Sequence, residues 1–281
     1  MKNNVAYFIA SYGKPINTTY ELLKKHDANY PVHIVIGTDD PKLEEYKETY
    51  DDKTLCIFDK KDYSIDGIGH YITSDKICTY SRLAVDKFAK DLGYQYVVYM
   101  FDDILSFSLR YYEKGVGTKG VRQFNIDKMI DMYIKLLNSS SKINLVGPPN
   151  SSFYIGVNEK TSKDYSTRYG NMFIYNLDDN PNNINLCASV LEDMDICLQN
   201  NKIGNMSICP YGLQVNCRQP KMTKDSYNNI SILEYYAQLC IKNQSLTVNL
   251  KNPTIHYTNF LPKIIDKKYK NSNTQKQLSL F

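Results

Sequence analysis

Two adjacent carboxylates directly behind an apolar run are the residues with most chemistry to offer. Asp102 and Asp103 follow residues 94–101 (YQYVVYMF), in the order Tyr99-Met100-Phe101-Asp102-Asp103-Ile104. Two negative charges with no basic neighbour in sequence are costly to hold away from water. Such a pair commonly carries a hard, oxygen-ligated divalent cation that bridges to phosphate. The competing reading is a solvated turn, and the strongly apolar run ahead of the pair argues against it. Asp39 and Asp40 close a second apolar run, but Asp39-Asp40-Pro41 reads first as an ordinary turn opener. Acids recur in Leu191-Glu192-Asp193-Met194-Asp195. There a carboxylate could accept a proton from a hydroxyl, or the group could simply complement a helix N-terminus. His256, in Pro253-Thr254-Ile255-His256-Tyr257, taken alone reads as a core histidine.

These residues need a frame, and the first hundred residues supply its pattern. Residues 5–10 (VAYFIA), 31–37 (PVHIVIG), 54–59 (TLCIFD) and 94–101 are short, β-prone apolar runs. Between them lie helical stretches at 16–25, from Pro41 to about Tyr50, and at 75–92. The last carries Ile77, Leu83, Ala84, Phe88 and Leu92 at a spacing near 3.6 and is closed by Gly93. Strands alternating with helices imply parallel strands joined by crossovers, so the fold class is α/β with helices on both faces of the sheet. Beyond residue 104 the pattern is less regular. Strands are expected at 105–112, 142–147, 152–157, 171–177, 206–215 and 248–257, and helices at 125–137, 189–201 and 228–242. Residues 266–276 (DKKYKNSNTQK) read as a solvated linker. Gly115-Val116-Gly117-Thr118-Lys119-Gly120 matches GxGxxG, but a dinucleotide fingerprint belongs after the first strand. Residues 113–124 therefore read as a flexible basic loop, in which Lys114, Lys119 and Arg122 could hold a polyanionic backbone.

Composition closes off several classes. A chain of 281 residues, 42% hydrophobic and 23% charged, can bury roughly three quarters of its unfolded surface and is not a disordered polymer. No run approaches the ~18 apolar residues of a membrane-spanning helix, and no export signal opens the chain, so no membrane and a cytoplasmic location are expected. Seven cysteines, an odd number with no CxxC pair, point to reduced thiols. The formal net charge of +4 permits a polyanionic partner without requiring one.

An acidic pair behind a strand at this depth resembles the nucleotide-sugar glycosyltransferases of GT-A fold. That family shares a metal-binding DxD motif after a central strand, a glycine loop, an acidic xED motif at a later helix and a histidine near the C-terminus. In this order the chain offers Asp102-Asp103, Tyr169-Gly170-Asn171-Met172, Glu192-Asp193 and His256. Phe101 stands where the first acid of a full DxD would be. The resemblance spans residues 1–260 and implies a single Rossmann-like GT-A domain with a mostly parallel sheet, residues 261–281 forming a linker and tail. It implies Mn²⁺ or Mg²⁺ on Asp103 and His256, Asp102 on the ribose or sugar, and Asp193 as the base, assisted by Glu192, in an inverting transfer. It also implies a nucleotide-sugar pocket, most simply for a UDP-sugar, lined by Ser11, Tyr12, Lys14, Asp39, Lys76, Arg82, Gly170 and Asn171.

The last residues, Gln277-Leu278-Ser279-Leu280-Phe281, resemble the sliding-clamp-binding peptide of bacterial and phage replication proteins, a polar Gln followed by spaced apolar anchors. A clamp partner points to DNA as the acceptor. Within the GT-A group, Phe101-Asp102-Asp103-Ile104 followed by Arg110, and Leu191-Glu192-Asp193-Met194-Asp195, resemble the TET/JBP-associated glycosyltransferases of bacteriophages. That likeness implies sugar transfer to 5-hydroxymethyl pyrimidines of DNA, in the host cytoplasm. Two other readings remain at this stage. One is a glycosyltransferase acting on a glycan, protein or small molecule; the other is a non-catalytic accessory of DNA and clamp.

Overall fold

The computed structural model describes residues 4–63, 78–113, 117–121, 123–148, 171–178, 203–210 and 212–218, the single residues 196 and 200, and four short strands beyond residue 246. Among the described residues seven strands form one sheet. They are β1 (Val5–Ala10), β2 (Val32–Gly37), β3 (Leu55–Phe58), β4 (Tyr96–Phe101), β7 (Ile143–Val146), β8 (Met172–Asn176) and β9 (Met206–Ile208), in the order β3-β2-β1-β4-β8-β7-β9. β1 pairs in parallel with β2 and β4, β2 with β3 and β7 with β9, while β8 runs antiparallel to both β4 and β7. The sheet is thus mostly parallel, as the alternating pattern predicts. β5 (Ile104–Glu113) and β6 (Gly117–Val121) form a hairpin and, with β10 (Leu213–Cys217), a second, antiparallel sheet.

The sheet is apolar on both faces because helices cover both. Tyr7 and Ile9 of β1, Val98 and Met100 of β4 and Ile174 of β8 face α1 (Thr18–Lys25) and α4 (Ile126–Leu137). Their neighbours Phe8, Val97, Tyr99 and Phe173 turn the other way, toward Ala84, Val85 and Ala89 of α3 (Cys78–Asp91). This two-residue alternation is the pleat of a strand. It explains why these strands read in sequence as continuous apolar runs rather than alternating ones. α2 (Leu43–Thr49) seats Tyr46 against Ile34 and Ile36 of β2. Asn17 and Asn125 cap α1 and α4, their side-chain oxygens accepting from Tyr20 N (3.0 Å) and Lys128 N (3.1 Å). Gly93, at φ +76°, follows α3 in the left-handed conformation that favours glycine.

Two expectations need correction. Residues 117–121 are strand, not loop: β6 pairs with β5 from Glu113↔Gly117 to Leu109↔Val121, with Gly120 lying against Arg110. Glycine content disguised a strand whose backbone must pass close to a guanidinium. The single strand expected at 206–215 is two, β9 and β10, which belong to different sheets. The strands expected at 152–157 and the helix at 228–242 lie outside the described residues. Ile196 and Asn200 are helical and buried, in the stretch where a helix is expected.

Near the C-terminus β11 (Thr247–Val248), β12 (Ile255–Thr258), β13 (Leu261–Ile264) and β14 (Leu278–Ser279) form a four-stranded sheet, order β12-β13-β11-β14. β12 and β13, which pair antiparallel, lie on either side of the boundary expected after residue 260. Cys56, Cys209 and Cys217 are thiols. Among the described residues no helix is long and apolar enough to cross a membrane.

Candidate functional site

Four segments meet at the carboxyl edge of the parallel strands, where ligands bind in open α/β sheets. They are Ser11–Lys14 after β1, Thr38–Asp40 after β2, the Asp102–Asp103 turn between β4 and β5, and Asn171 ahead of the antiparallel β8. Asp102 is buried, 8% exposed, and both its oxygens are engaged by the β1 segment. Ser11 Oγ donates to Oδ2 (2.9 Å), Tyr12 N reaches the same oxygen at 3.4 Å, and Lys14 Nζ pairs with Oδ1 at 2.7 Å. Asp103 accepts from Asn171 Nδ2 at 3.2 Å. Burial pushes the Asp103 carboxyl above its ordinary pKa, opposed by the Asn171 hydrogen bond, reinforced by the charge of Asp102 and opposed again by Lys14. Ser11, Tyr12, Lys14, Asp102, Asp103 and Asn171, all expected from sequence, therefore form one cluster.

The residues that hold this cluster carried no local signal. Thr19, on α1 and fully buried, clamps the acid turn: its Oγ1 donates to Phe101 O (2.7 Å) and accepts from Ile104 N (3.1 Å). Asn171 O accepts from Phe101 N, and Arg218 N donates to Asp103 O, each at 3.0 Å. The backbone on either side of the two acids is thus fixed. The Tyr46 hydroxyl is 2.6 Å from Ser11 Oγ and accepts from Lys14 N at 2.9 Å. Since the Ser11 proton goes to the Asp102 carboxylate, Tyr46 donates to Ser11, closing a relay from Lys14 N to Asp102. Burial pushes the Tyr46 hydroxyl up to about 12, so it stays protonated for this role. The second acid pair divides its work. Asp40, 5% exposed, accepts from Gly13 N and Lys42 N, both 2.8 Å, and so shapes the β1 segment. Asp39 instead pairs with Lys60 at 2.6 Å at the open rim. Cys217, at the end of β10, lies beside Asp103. Its thiol is pushed up to about 12, first by burial and then by that carboxylate.

Arg82 is placed otherwise than expected. It is 1% exposed, and its guanidinium lies over the rings of Phe173 (4.5 Å) and Tyr99 (5.1 Å), inside the layer between α3 and the sheet rather than at the edge where a diphosphate would lie. Lys76, Gly170, Glu192, Asp193, Gln277, Leu280 and Phe281 lie outside the described residues. Of His256 and Leu278 the backbone alone is described, in β12 opposite Lys263 and in β14 opposite Val248.

The acid pair suits a hard divalent cation. Its donors are carboxylate oxygens, the Asp103 carboxyl is partly desolvated, and among the described residues the cation paired with the acids is a half-exposed ammonium, 52% accessible. Among the described residues no cluster of three His, Cys, Asp or Glu completes a cage. Mg²⁺ and its analogues are ordinarily held this way, by one or two carboxylates with phosphate oxygens and water filling the shell.

No curated protein sequence matches the chain. Among solved structures, glucosyl-3-phosphoglycerate synthase from Mycobacterium tuberculosis, in complex with Mn²⁺, uridine diphosphate and phosphoglyceric acid, is similar with a TM-score of 0.48 and 8% identity, over 92% of this chain and 84% of that one. Mannosyl-3-phosphoglycerate synthase from Rubrobacter xylanophilus gives 0.48 and 9%, over 93% and 85%. Likeness at that level says nothing about donor or acceptor. The sequence model of the TET-associated glycosyltransferases is different in weight: it matches residues 6–221, from β1 through the acid pair and Asn171 to β10. The chain belongs to the TET-associated glycosyltransferase family.

Proposed function

We propose that the chain transfers a sugar from a nucleotide sugar, a UDP-sugar in our reading, to the 5-hydroxymethyl group of a modified pyrimidine in DNA. The observation that carries this reading is the cluster of Asp102, Asp103, Ser11, Lys14 and Asn171 at the carboxyl edge, within the span matched to the family. Asp103 and His256 would, in our reading, hold Mn²⁺ or Mg²⁺, with Asp102 beside them on the ribose or sugar of the donor. A cation there supplies neutralisation of the negative charge that grows on the departing diphosphate. The chain's own residues do the rest. Ser11, Tyr12 and Tyr46 hold the Asp102 carboxylate in one orientation, and Asn171 does so for Asp103. Asp39, at the rim, offers its carboxylate to the nucleoside. Asp193, with Glu192 beside it, takes the proton from the acceptor hydroxyl; attack from the face opposite the leaving group inverts the anomeric carbon.

Two features support DNA as acceptor. A 5-hydroxymethyl group projects into the major groove, so it is reachable from outside the duplex. The tail Gln277–Phe281 has the form of a clamp-docking peptide, which would bring the enzyme to replicating DNA.

The test mixes the protein with Mn²⁺, a panel of UDP-sugars and duplex DNA containing 5-hydroxymethylcytosine or 5-hydroxymethyluracil. Digested nucleosides are read by mass spectrometry, with Asp103→Ala alongside. A hexose-sized gain on one modified base, absent in the variant, is the expected result. UDP release without a DNA product would move the acceptor to a glycan, protein or small molecule. The absence of UDP release with every donor would overturn the UDP-sugar reading.

A further inference from the structure

Lys14 stands in an unusual relation to the acid pair. Its backbone is fixed, with N–H bonded to the buried Tyr46 hydroxyl at 2.9 Å, and the preceding Gly13, at φ +64°, is bonded to Asp40. Its side chain is 52% exposed, and the ammonium alone reaches inward, to Asp102 Oδ1 at 2.7 Å. The ammonium end of this pair is already half in water, whereas Asp102 is buried. What lets the ammonium leave is therefore a new anion for it to meet and the partners that Asp102 keeps. A lysine carries its charge on a flexible four-carbon stem, so the ammonium can move while the backbone stays put. The other Asp102 oxygen is held by uncharged partners, Ser11 Oγ and Tyr12 N. The cluster thus keeps Asp102 oriented whether or not Lys14 is in place.

We propose that Lys14 is a displaceable counter-ion of Asp102, a positioning residue that makes cation and donor bind together rather than separately. The proposal rests on the donor-site reading above. Without ligand, Asp102, Asp103 and Lys14 sum to a formal charge of minus one. A divalent cation alone would bring the cluster to plus one, with the ammonium facing the metal across one carboxylate. That repulsion weakens binding of the cation by itself. The doubly negative diphosphate restores the balance and gives the ammonium a second anion to contact, so Lys14 moves from Asp102 Oδ1 onto phosphate oxygen. No bond is made or broken in this step; one ion pair is exchanged for another. The cation and diphosphate are therefore coupled through Lys14, and the coupling is reciprocal.

The experiment measures Mn²⁺ binding by electron paramagnetic resonance, first with the protein alone and then with saturating UDP. It compares wild type, Lys14→Met, which keeps the length of the stem without its charge, and Lys14→Arg, which keeps a charge. Far-UV circular dichroism and a melting curve show that each variant is folded. Removing one unit charge a few ångströms from the cation in a half-solvated site should tighten Mn²⁺ binding without UDP by about tenfold. With UDP bound the ammonium sits on phosphate and the Mn²⁺ affinity should change little. The factor by which UDP tightens Mn²⁺ binding should therefore fall by about the same amount, and by reciprocity so should the factor by which Mn²⁺ tightens UDP. Lys14→Arg should stay within about twofold of wild type in the first measurement, since the charge is retained. A Lys14→Met protein that binds Mn²⁺ alone no more tightly than wild type overturns the counter-ion role and leaves the donor site standing. A wild-type protein that binds neither Mn²⁺ nor UDP overturns the donor-site reading and the counter-ion role with it.

Discussion

Asp103 is a carboxyl group that the fold holds at a cost. Burial raises its pKa above the ordinary 3.8, so the folded chain binds that proton more tightly than the unfolded chain does. Its contribution to stability is therefore fully present below pH 3.8 and is lost as pH rises through the folded pKa. At neutral pH the ionised group works against folding. Asp103→Asn keeps an oxygen for the Asn171 amide and removes the charge. In metal-free buffer it should melt at a higher temperature than wild type at pH 7, with the difference shrinking as pH is lowered toward 4. Turnover should fall by at least about 100-fold, the scale of losing one electrostatic contact to a transition state. Thermal melts at both pH values and initial rates check the two halves. A variant less stable than wild type at pH 7 would show that burial is not what perturbs this acid. Residues that work against the fold are expected where function demands them.

At the scale of elements, the acid turn is positioned by α1. Thr19 satisfies a part-buried carbonyl on one side of the pair and a buried amide on the other. Thr19→Val is close in shape but leaves Phe101 O and Ile104 N without that partner. It should cost about 1–3 kcal/mol in urea unfolding, the penalty of buried backbone groups left unsatisfied. Thr19→Ser should recover most of the loss, because the hydroxyl returns. A purely packing role for Thr19 predicts the opposite ranking, with Val better than Ser. This clamp also shows where sequence reading stops. β1, β2, β4 and α3 are legible because each is a local pattern, an apolar run or a 3.6-residue spacing. The acid pair is legible because its chemistry is written in adjacent residues. Thr19, Tyr46 and Asp40 act across 27 to 85 positions of sequence, and no local pattern marks them. Asp40 could have been preferred to Asp39 on one ground: it is the acid preceding Pro41, the one that turns back to cap its own turn. The β5–β6 hairpin was hidden by glycines, whose usual meaning is a loop. Arg82 was misplaced because a basic residue on a helix ordinarily reads as surface, and nothing local reveals two aromatic faces from β4 and β8 beneath it.

For the whole molecule, the consequence of this architecture is that the site exists only when the sheet does. Its contacts come from the ends of β1, β2 and β4 and from the start of β8, brought together by parallel pairing and by one antiparallel strand. An unfolded chain scatters these segments over more than half its length and has no site. A ligand that binds the folded state alone stabilises it by mass action, by about 2.7 kcal/mol at one hundred times its dissociation constant. For a domain of this size about 2 °C of melting temperature corresponds to each kcal/mol. UDP with Mn²⁺ at that excess should therefore raise the melting temperature by about 5 °C. Either one alone should do much less, because Lys14 opposes the bare cation and the acid pair repels the bare diphosphate. Asp103→Ala should abolish the shift while remaining folded. Differential scanning fluorimetry across the four ligand conditions reads all of this at once. A full shift that survives in Asp103→Ala would place the nucleotide elsewhere on the chain and take the acid pair out of the donor site.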